Sequence, residues 1–149
     1  MKKNIQILAF TIIQILIVNA LIGQTVLTIS GNQMVQDGGH LVLNNTKFVN
    51  NSTFATGSGT ITIEGDATNS NSAIGGTSQT TFYNLILDKT SNGSQLEQAI
   101  NVSNQLTLTN GSIDLQTYNL TIENTGTISG GSSSSYIQTT STGTLIQEV

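Results

Sequence analysis

The sequence predicts an all-β chain: a right-handed parallel β-helix, or β-solenoid, of about 20-residue coils, preceded by an N-terminal signal helix. Three observations carry this. Apolar residues recur with a period of two, in the pairs Leu27 and Ile29, Leu41 and Leu43, Ile61 and Ile63, Leu85 and Leu87, Leu106 and Leu108, Leu120 and Ile122. That is the pattern of strands with one buried face. The gaps hold Gly, Asn, Asp and Ser, which tolerate positive φ or satisfy nearby backbone groups with their own side chains. Successive pairs begin at residues 27, 41, 61, 85, 106 and 120, separations of 14, 20, 24, 21 and 14. A wandering step of this size suits stacked coils, whereas the hairpins of a β-sandwich return every roughly 8 to 12 residues. Secondary strands at Lys47 to Val49, Ile113 to Leu115 and Thr127 to Ser129 partly fill the intervals and keep a β-sandwich as the alternative.

The first element is an address. Met1 to Asn4 carries Lys2 and Lys3, and Ile5 to Gly23 is apolar except for Gln6, Thr11, Gln14 and Asn19. A basic start followed by an apolar stretch reads as a secretory signal peptide over 1-23. Gly23 followed by Gln24 is the expected cleavage point, with cleavage after Ala20 as the fallback because Leu21 is large for its position. About 19 helical residues at ~1.5 Å each nearly cross a bilayer, so an uncleaved anchor is the competing reading. Either way the solenoid domain, 24-149, is expected to be exported, to the cell surface or beyond it, with a periplasmic or membrane-anchored location as the alternative. After cleavage no membrane contact is expected.

The strands follow. Thr28, Thr62, Thr107 and Thr121 occupy the middle of their pairs, where a β-branched side chain suits a solvent-facing pleat. Val42 and Ile86 break the rule and predict a covered outer face. Ser30-Gly31-Asn32, Asp37-Gly38-Gly39, Asn44-Asn45, Asn50-Asn51, Gly57-Ser58-Gly59, Ser91-Asn92-Gly93, Asn110-Gly111 and Gly130-Gly131 are the corners. No window of ten residues has helical periodicity, and "SQLEQAI" at 94 to 100 reads as strand and turn. In residues 106 to 131 the inward stack is Leu106, Leu108, Ile113, Leu115, Leu120, Ile122 and Ile128. Each buried side chain of this kind contributes about 1.5 to 3 kcal/mol, but one coil alone cannot cover its own face. Asn at equivalent corners is expected to stack into hydrogen-bonded ladders.

Composition narrows the function. Past residue 23 only Lys47 and Lys89 oppose eight acids, a formal balance of −6, and the chain has no arginine. Such a chain cannot neutralise a run of phosphates, so nucleic acid is excluded as a partner, and anionic membrane surfaces are disfavoured. The absence of cysteine removes disulfides, thiolate metal sites, a cysteine nucleophile and a lipidated-Cys anchor. The alternating triplets and the small net charge argue against disorder.

The cadence "TTFYNLILDKTSNGSQLEQAINVSNQLTLTNGSIDLQTYNLTIENTGTISGG", continued to "GTLIQEV", resembles the repeat region of large secreted surface proteins of Bacteroidetes. The likeness covers most of the exported chain and rests on "F-x-N-L-x-x-x-K", "L-T-L-T-x-G-x-I-D-L" and "N-L-T-I" steps. The resemblance implies a β-helical passenger or stalk, commonly a type IX secretion cargo with a C-terminal sorting domain. No such domain follows "GTLIQEV", and the sequence stops on Leu145 and Ile146 with no polar cap, so a C-terminally truncated or incomplete solenoid is the expectation.

Candidate chemistry is sparse. His40 after Asp37-Gly38-Gly39 hints at a metal or relay site, but a lone His without Cys cannot close a zinc site, and it reads as a turn residue. Glu64-Gly65-Asp66 with Asn69 and Asn71 offers oxygen ligands for calcium at neither the EF-hand spacing nor the glycine-rich nonapeptide spacing. Asp88, Asp114 and Glu123 would have to converge across coils to serve as a glycosidase pair. The Thr60-Ile61-Thr62 and Thr107-Leu108-Thr109 steps raise ice binding, without the constant spacing a lattice needs. The N-x-S/T triplets at Asn44, Asn50, Asn51, Asn92, Asn101, Asn110 and Asn119 read as turn chemistry first. The reading is a structural, adhesin-like segment with no catalytic, metal or cofactor site. Surface glycans or other envelope proteins are the expected partners, and a carbohydrate-binding or carbohydrate-cleaving β-helix is the alternative.

Overall fold

The structure, a computed structural model, describes residues 25–31 and 33–149. The signal helix and the Gly23–Gln24 cleavage point lie outside the described residues. Thirteen strands follow in order: β1 (Thr25–Ile29), β2 (Met34–Gln36), β3 (His40–Asn44), β4 (Thr46–Asn50), β5 (Phe54–Thr56), β6 (Thr60–Gly65), β7 (Ile74–Gly76), β8 (Thr80–Gln95), β9 (Ile100–Asp114), β10 (Leu120–Ile122), β11 (Thr127–Gly130), β12 (Ser135–Gln138) and β13 (Leu145–Gln147). The one helical element among the described residues is a 3-10 turn, Asn69–Ser72.

Every strand pairs in parallel with the strand one coil away. This is a β-solenoid of about 6 turns, and it removes the sandwich alternative, whose neighbouring strands run antiparallel. Three faces result. One stacks β1, β4 and β7 and continues through the Ile74–Leu96 bridge. A second carries the β2–β5 pair and, as a separate ladder, the starts of β8 and β9 with β10 and β13. The third, the longest unbroken ladder, runs β3, β6, the middles of β8 and β9, and β11. Strands β8 and β9 turn corners without losing their ladder, so each serves two faces, with register shifts between Phe82 and Asn84 and between Leu87 and Gly93.

The alternating pairs become columns. Leu41, Ile61, Leu85, Leu106 and Ile128 stand in register, and so do Leu43, Ile63, Leu87 and Leu108. Phe48, Phe54 and Phe82 meet in the core with ring centroids 5.5 to 5.9 Å apart, in edge-on and tilted contacts. The coil step ranges from 19 residues (Gly93 to Ser112) to 26 (Phe48 to Ile74). The longest step contains the 3-10 turn, whose Ser72 Oγ donates to the Gly93 carbonyl while Ser94 Oγ donates to the Ser72 carbonyl.

Two local expectations change. Ile128 keeps its register with Leu106 but is 38% exposed, because β11 has a partner strand on one side only. Val42 does not mark a covered outer face: it is 45% exposed on the edge strand β3. The covered position is Thr62, 5% exposed between Val42 and Ile86, with its hydroxyl 2.6 Å from His40 Nε2.

Candidate functional site

The corner after β3, β6 and the middle of β8 gathers most of the polar chemistry. Parallel stacking puts Asn44, Glu64, Asp88 and Asn110 in one column on adjacent coils. Two carboxylates thus stand side by side, which by itself is repulsive. Each is met from its outer neighbour by an amide: Asn44 Nδ2 donates to Glu64 Oε1 at 2.8 Å, and Asn110 Nδ2 to Asp88 Oδ1 at 2.8 Å. Asp66 receives Asn45 Nδ2 at Oδ1, 2.9 Å, and Asn92 Nδ2 at its carbonyl, 2.8 Å. Of the oxygens that suggested calcium, Glu64 Oε1 and Asp66 Oδ1 are thus each met by a side-chain amide, and Asn69 Oδ1 accepts the Gly93 N–H at 2.9 Å. Among the described residues no group of three or more His, Cys, Asp or Glu side chains is placed to hold a metal ion.

Lysine 89 lies just inside this corner and is 1% exposed. The alternation Leu85, Leu87, Lys89 carries it inward, a signal present in the sequence but masked by the residue's charge. Glycine on the neighbouring coil makes the room: a Cβ on Gly111 (φ +78°) would come within 2.6 Å of Lys89 Cβ. The ammonium donates to the Glu64 carbonyl at 3.4 Å. Burial lowers its pKa below the ordinary lysine value, and the nearby Asp66 carboxylate opposes that shift.

The other expected acids do not converge. Asp88 sits in the column just described. Glu123 accepts from Asn101 Nδ2 at 3.1 Å, on the face shared by β9 and β10, and Gln79 Nε2 continues that ladder to Asn101 Oδ1 at 3.1 Å. Asp114 lies on a different corner, 3% exposed. It accepts the backbone N–H groups of Gln116 and Thr140 at 3.0 and 3.1 Å, Gln116 Nε2 at 2.8 Å and the Thr140 hydroxyl at 2.8 Å. Burial works to raise its pKa, but these donors outweigh it and hold the carboxyl below its ordinary value. The only salt bridge among the described residues joins Lys47 to Glu97, over Gly75.

The expected corner ladders are present in mixed form. Asn104 Nδ2 donates to Asn84 Oδ1 at 2.7 Å, a like rung, whereas other rungs pair an amide with a carboxylate or a hydroxyl. Asn50, fully buried, donates to the Ser78 and Gln79 carbonyls and to the Thr80 hydroxyl, and Gln98 Nε2 donates to that same hydroxyl at 2.8 Å. Outward on the longest face, Thr60, Asn84, Gln105 and Thr127 form one column and Val42, Thr62, Ile86, Thr107 and Ser129 another. Interruption by Asn, Ile and Gln breaks any regular hydroxyl lattice. His40 is exposed, with Thr62 as its side-chain partner.

Fold and surface together define a parallel β-solenoid in which the Asn side chains of several corners are engaged between coils. No protein-family model, curated protein or solved structure matches the chain. Among the described residues no helix is long and apolar enough to cross a membrane.

Proposed function

We propose that the protein is a secreted or cell-surface structural segment, an adhesin-like stalk built as a right-handed solenoid and without catalytic activity. One observation carries this reading: the side chains with chemical potential are engaged by neighbouring coils instead of converging on a shared cleft. Asn44 to Glu64, Asn110 to Asp88, Asn45 to Asp66 and Asn101 to Glu123 are all bonds from one coil to the next. Such groups are spent on holding the stack together. The basic start and apolar stretch of residues 1-23 support export, with a mature chain beginning at Gln24. The resemblance of the repeat cadence to Bacteroidetes surface proteins supports a place on the envelope, facing glycans or other envelope proteins.

The test has two parts. Expression with the native leader, followed by N-terminal sequencing of the exported product, should return Gln24 as the first residue. The purified protein on a glycan array and in a reducing-sugar assay should show no turnover. Release of reducing ends would replace the structural reading with a carbohydrate-cleaving one.

A further inference from the structure

We propose that Lys89 and Asn45 join in an intramolecular isopeptide bond, with Asp66 as the proton shuttle. Three coils bring the participants together. Asn45 (φ 50°) turns the chain between β3 and β4, and its backbone N–H donates to the Glu64 carbonyl at 3.1 Å. Lys89 Nζ donates to that same carbonyl oxygen at 3.4 Å. The Lys89 amine and the Asn45 backbone therefore share one acceptor atom, in a corner where Lys89 is 1% exposed.

The Asn45 side chain is held in the manner such a reaction needs. Its Oδ1 accepts the Ala67 N–H at 2.7 Å, which polarises the carbonyl and stabilises the negative charge that develops on this oxygen when a nucleophile adds. Its Nδ2 donates to Asp66 Oδ1 at 2.9 Å, so the nitrogen that must leave already faces a carboxylate able to carry a proton to it. Burial favours the neutral, nucleophilic form of the Lys89 amine. Gly65 lies on the coil between them, and a Cβ there would come within 2.2 Å of Asn45 Oδ1. Glycine keeps that approach open.

The step balances without an added reagent. The Lys89 lone pair forms a bond to Asn45 Cγ, and the carbonyl π electrons move onto Oδ1. Asp66 takes a proton from the new ammonium nitrogen and delivers it to Nδ2. The Cγ–Nδ2 bond breaks as the carbonyl reforms, and one ammonia departs. Asp66 ends as it began, and residues 45 and 89 are covalently joined across two coil steps.

Intact-mass spectrometry of the purified full chain tests this. The expected result is a mass lower by one ammonia, with tandem spectra of a digest showing the Asn45 peptide joined to the Lys89 peptide. Lys89→Arg should restore the full mass, and Asp66→Asn, a change at an exposed side chain, should abolish or strongly slow the joining in a chain that still folds. Finding the two peptides separate in folded wild-type protein would overturn the proposal. So would an ammonia loss that persists in Lys89→Arg, since a succinimide at Asn92-Gly93 or Asn110-Gly111, or a cyclised Gln24, would then account for it. Undiminished joining in Asp66→Asn would remove Asp66 from its assigned role.

Discussion

Replacing Asp114 by Asn should loosen the last coil and leave the rest of the solenoid folded. The carboxylate is 3% exposed and holds four donors, two of them the backbone amides of Gln116 and Thr140. Thr140 belongs to the segment between β12 and β13, so this one side chain ties the last coil to the coil before it. Asn keeps an oxygen for the two backbone amides but loses the charge and presents an NH2 group towards Gln116 Nε2. Hydrogen bonds to a charged group contribute about 1.5 to 3 kcal/mol, so the Asn variant should lose about 1 to 2 kcal/mol. Ala, which strands buried amides, should lose about 3 kcal/mol or more. The pH dependence has a definite sign. Because the folded pKa lies below the ordinary value of about 3.9, this stabilisation is present above that pH and is lost as pH falls through the folded pKa. Hydrogen exchange followed by mass spectrometry is the assay. In a solenoid each coil is stabilised by its neighbours, so protection should fall over residues 135–147 and persist in β4 to β9. Unchanged exchange of residues 135–147 in the Asn variant, or an equal acid response in both proteins, would refute the reasoning.

Four further outcomes follow from the same geometry. Leu108→Asp should unfold or aggregate the protein, because Leu108 is 6% exposed on the core column, whereas Thr107→Asp on the outward side should retain the fold by circular dichroism. Gly111→Ala should cost about 1 to 3 kcal/mol in urea melts, since the residue has φ +78° and an added Cβ meets Lys89 Cβ at 2.6 Å and the Asn92 carbonyl at 2.9 Å. Asn50→Leu should lose about 1 to 3 kcal/mol, because the buried Thr80 hydroxyl and the Ser52 amide each lose a partner; an unchanged midpoint would mean the ladder is dispensable. Raising NaCl from about 0.01 M to about 1 M should leave Tm level or slightly higher, because one salt bridge is lost to screening while the excess of acids repels less.

What could be read beforehand was what alternation and corner chemistry specify locally. Leu106 and Leu108, or Leu120 and Ile122, are buried because their period of two leaves them no other face. Asn45 and Asn92 adopt positive φ at corners, as their side chains permit. Contacts between distant coils were not legible. Nothing near Asp114 announces burial, since its position between Ile113 and Leu115 would place it outward; Thr140 from the next coil closes over it. The 26-residue step from Phe48 to Ile74 was likewise hidden, because a 3-10 turn interrupts the cadence without adding an apolar pair. Lys89 is the intermediate case. Its alternation with Leu85 and Leu87 was visible, but its burial depends on the glycine at position 111 of the next coil.

The chain's unusual composition and its stack answer one problem together. A parallel solenoid repeats similar positions about every 4.8 Å, so a charge on one coil readily meets its like on the next. Glu64 beside Asp88 is such a meeting. Arginine would relieve the repulsion by ion pairing, but the sequence has none. Asn does so instead: its amide donates across the coil step to Glu64, Asp66, Asp88 and Glu123 without adding a charge of its own. The amide makes a directional bond at short range, so it fixes the register of neighbouring coils as well as satisfying the acid. A wall built this way keeps its acidic surface, and that surface discourages the lateral association to which uncharged sheet faces are prone. On this account the Asn-rich corners are the device by which an acidic chain stacks its coils without balancing its charge.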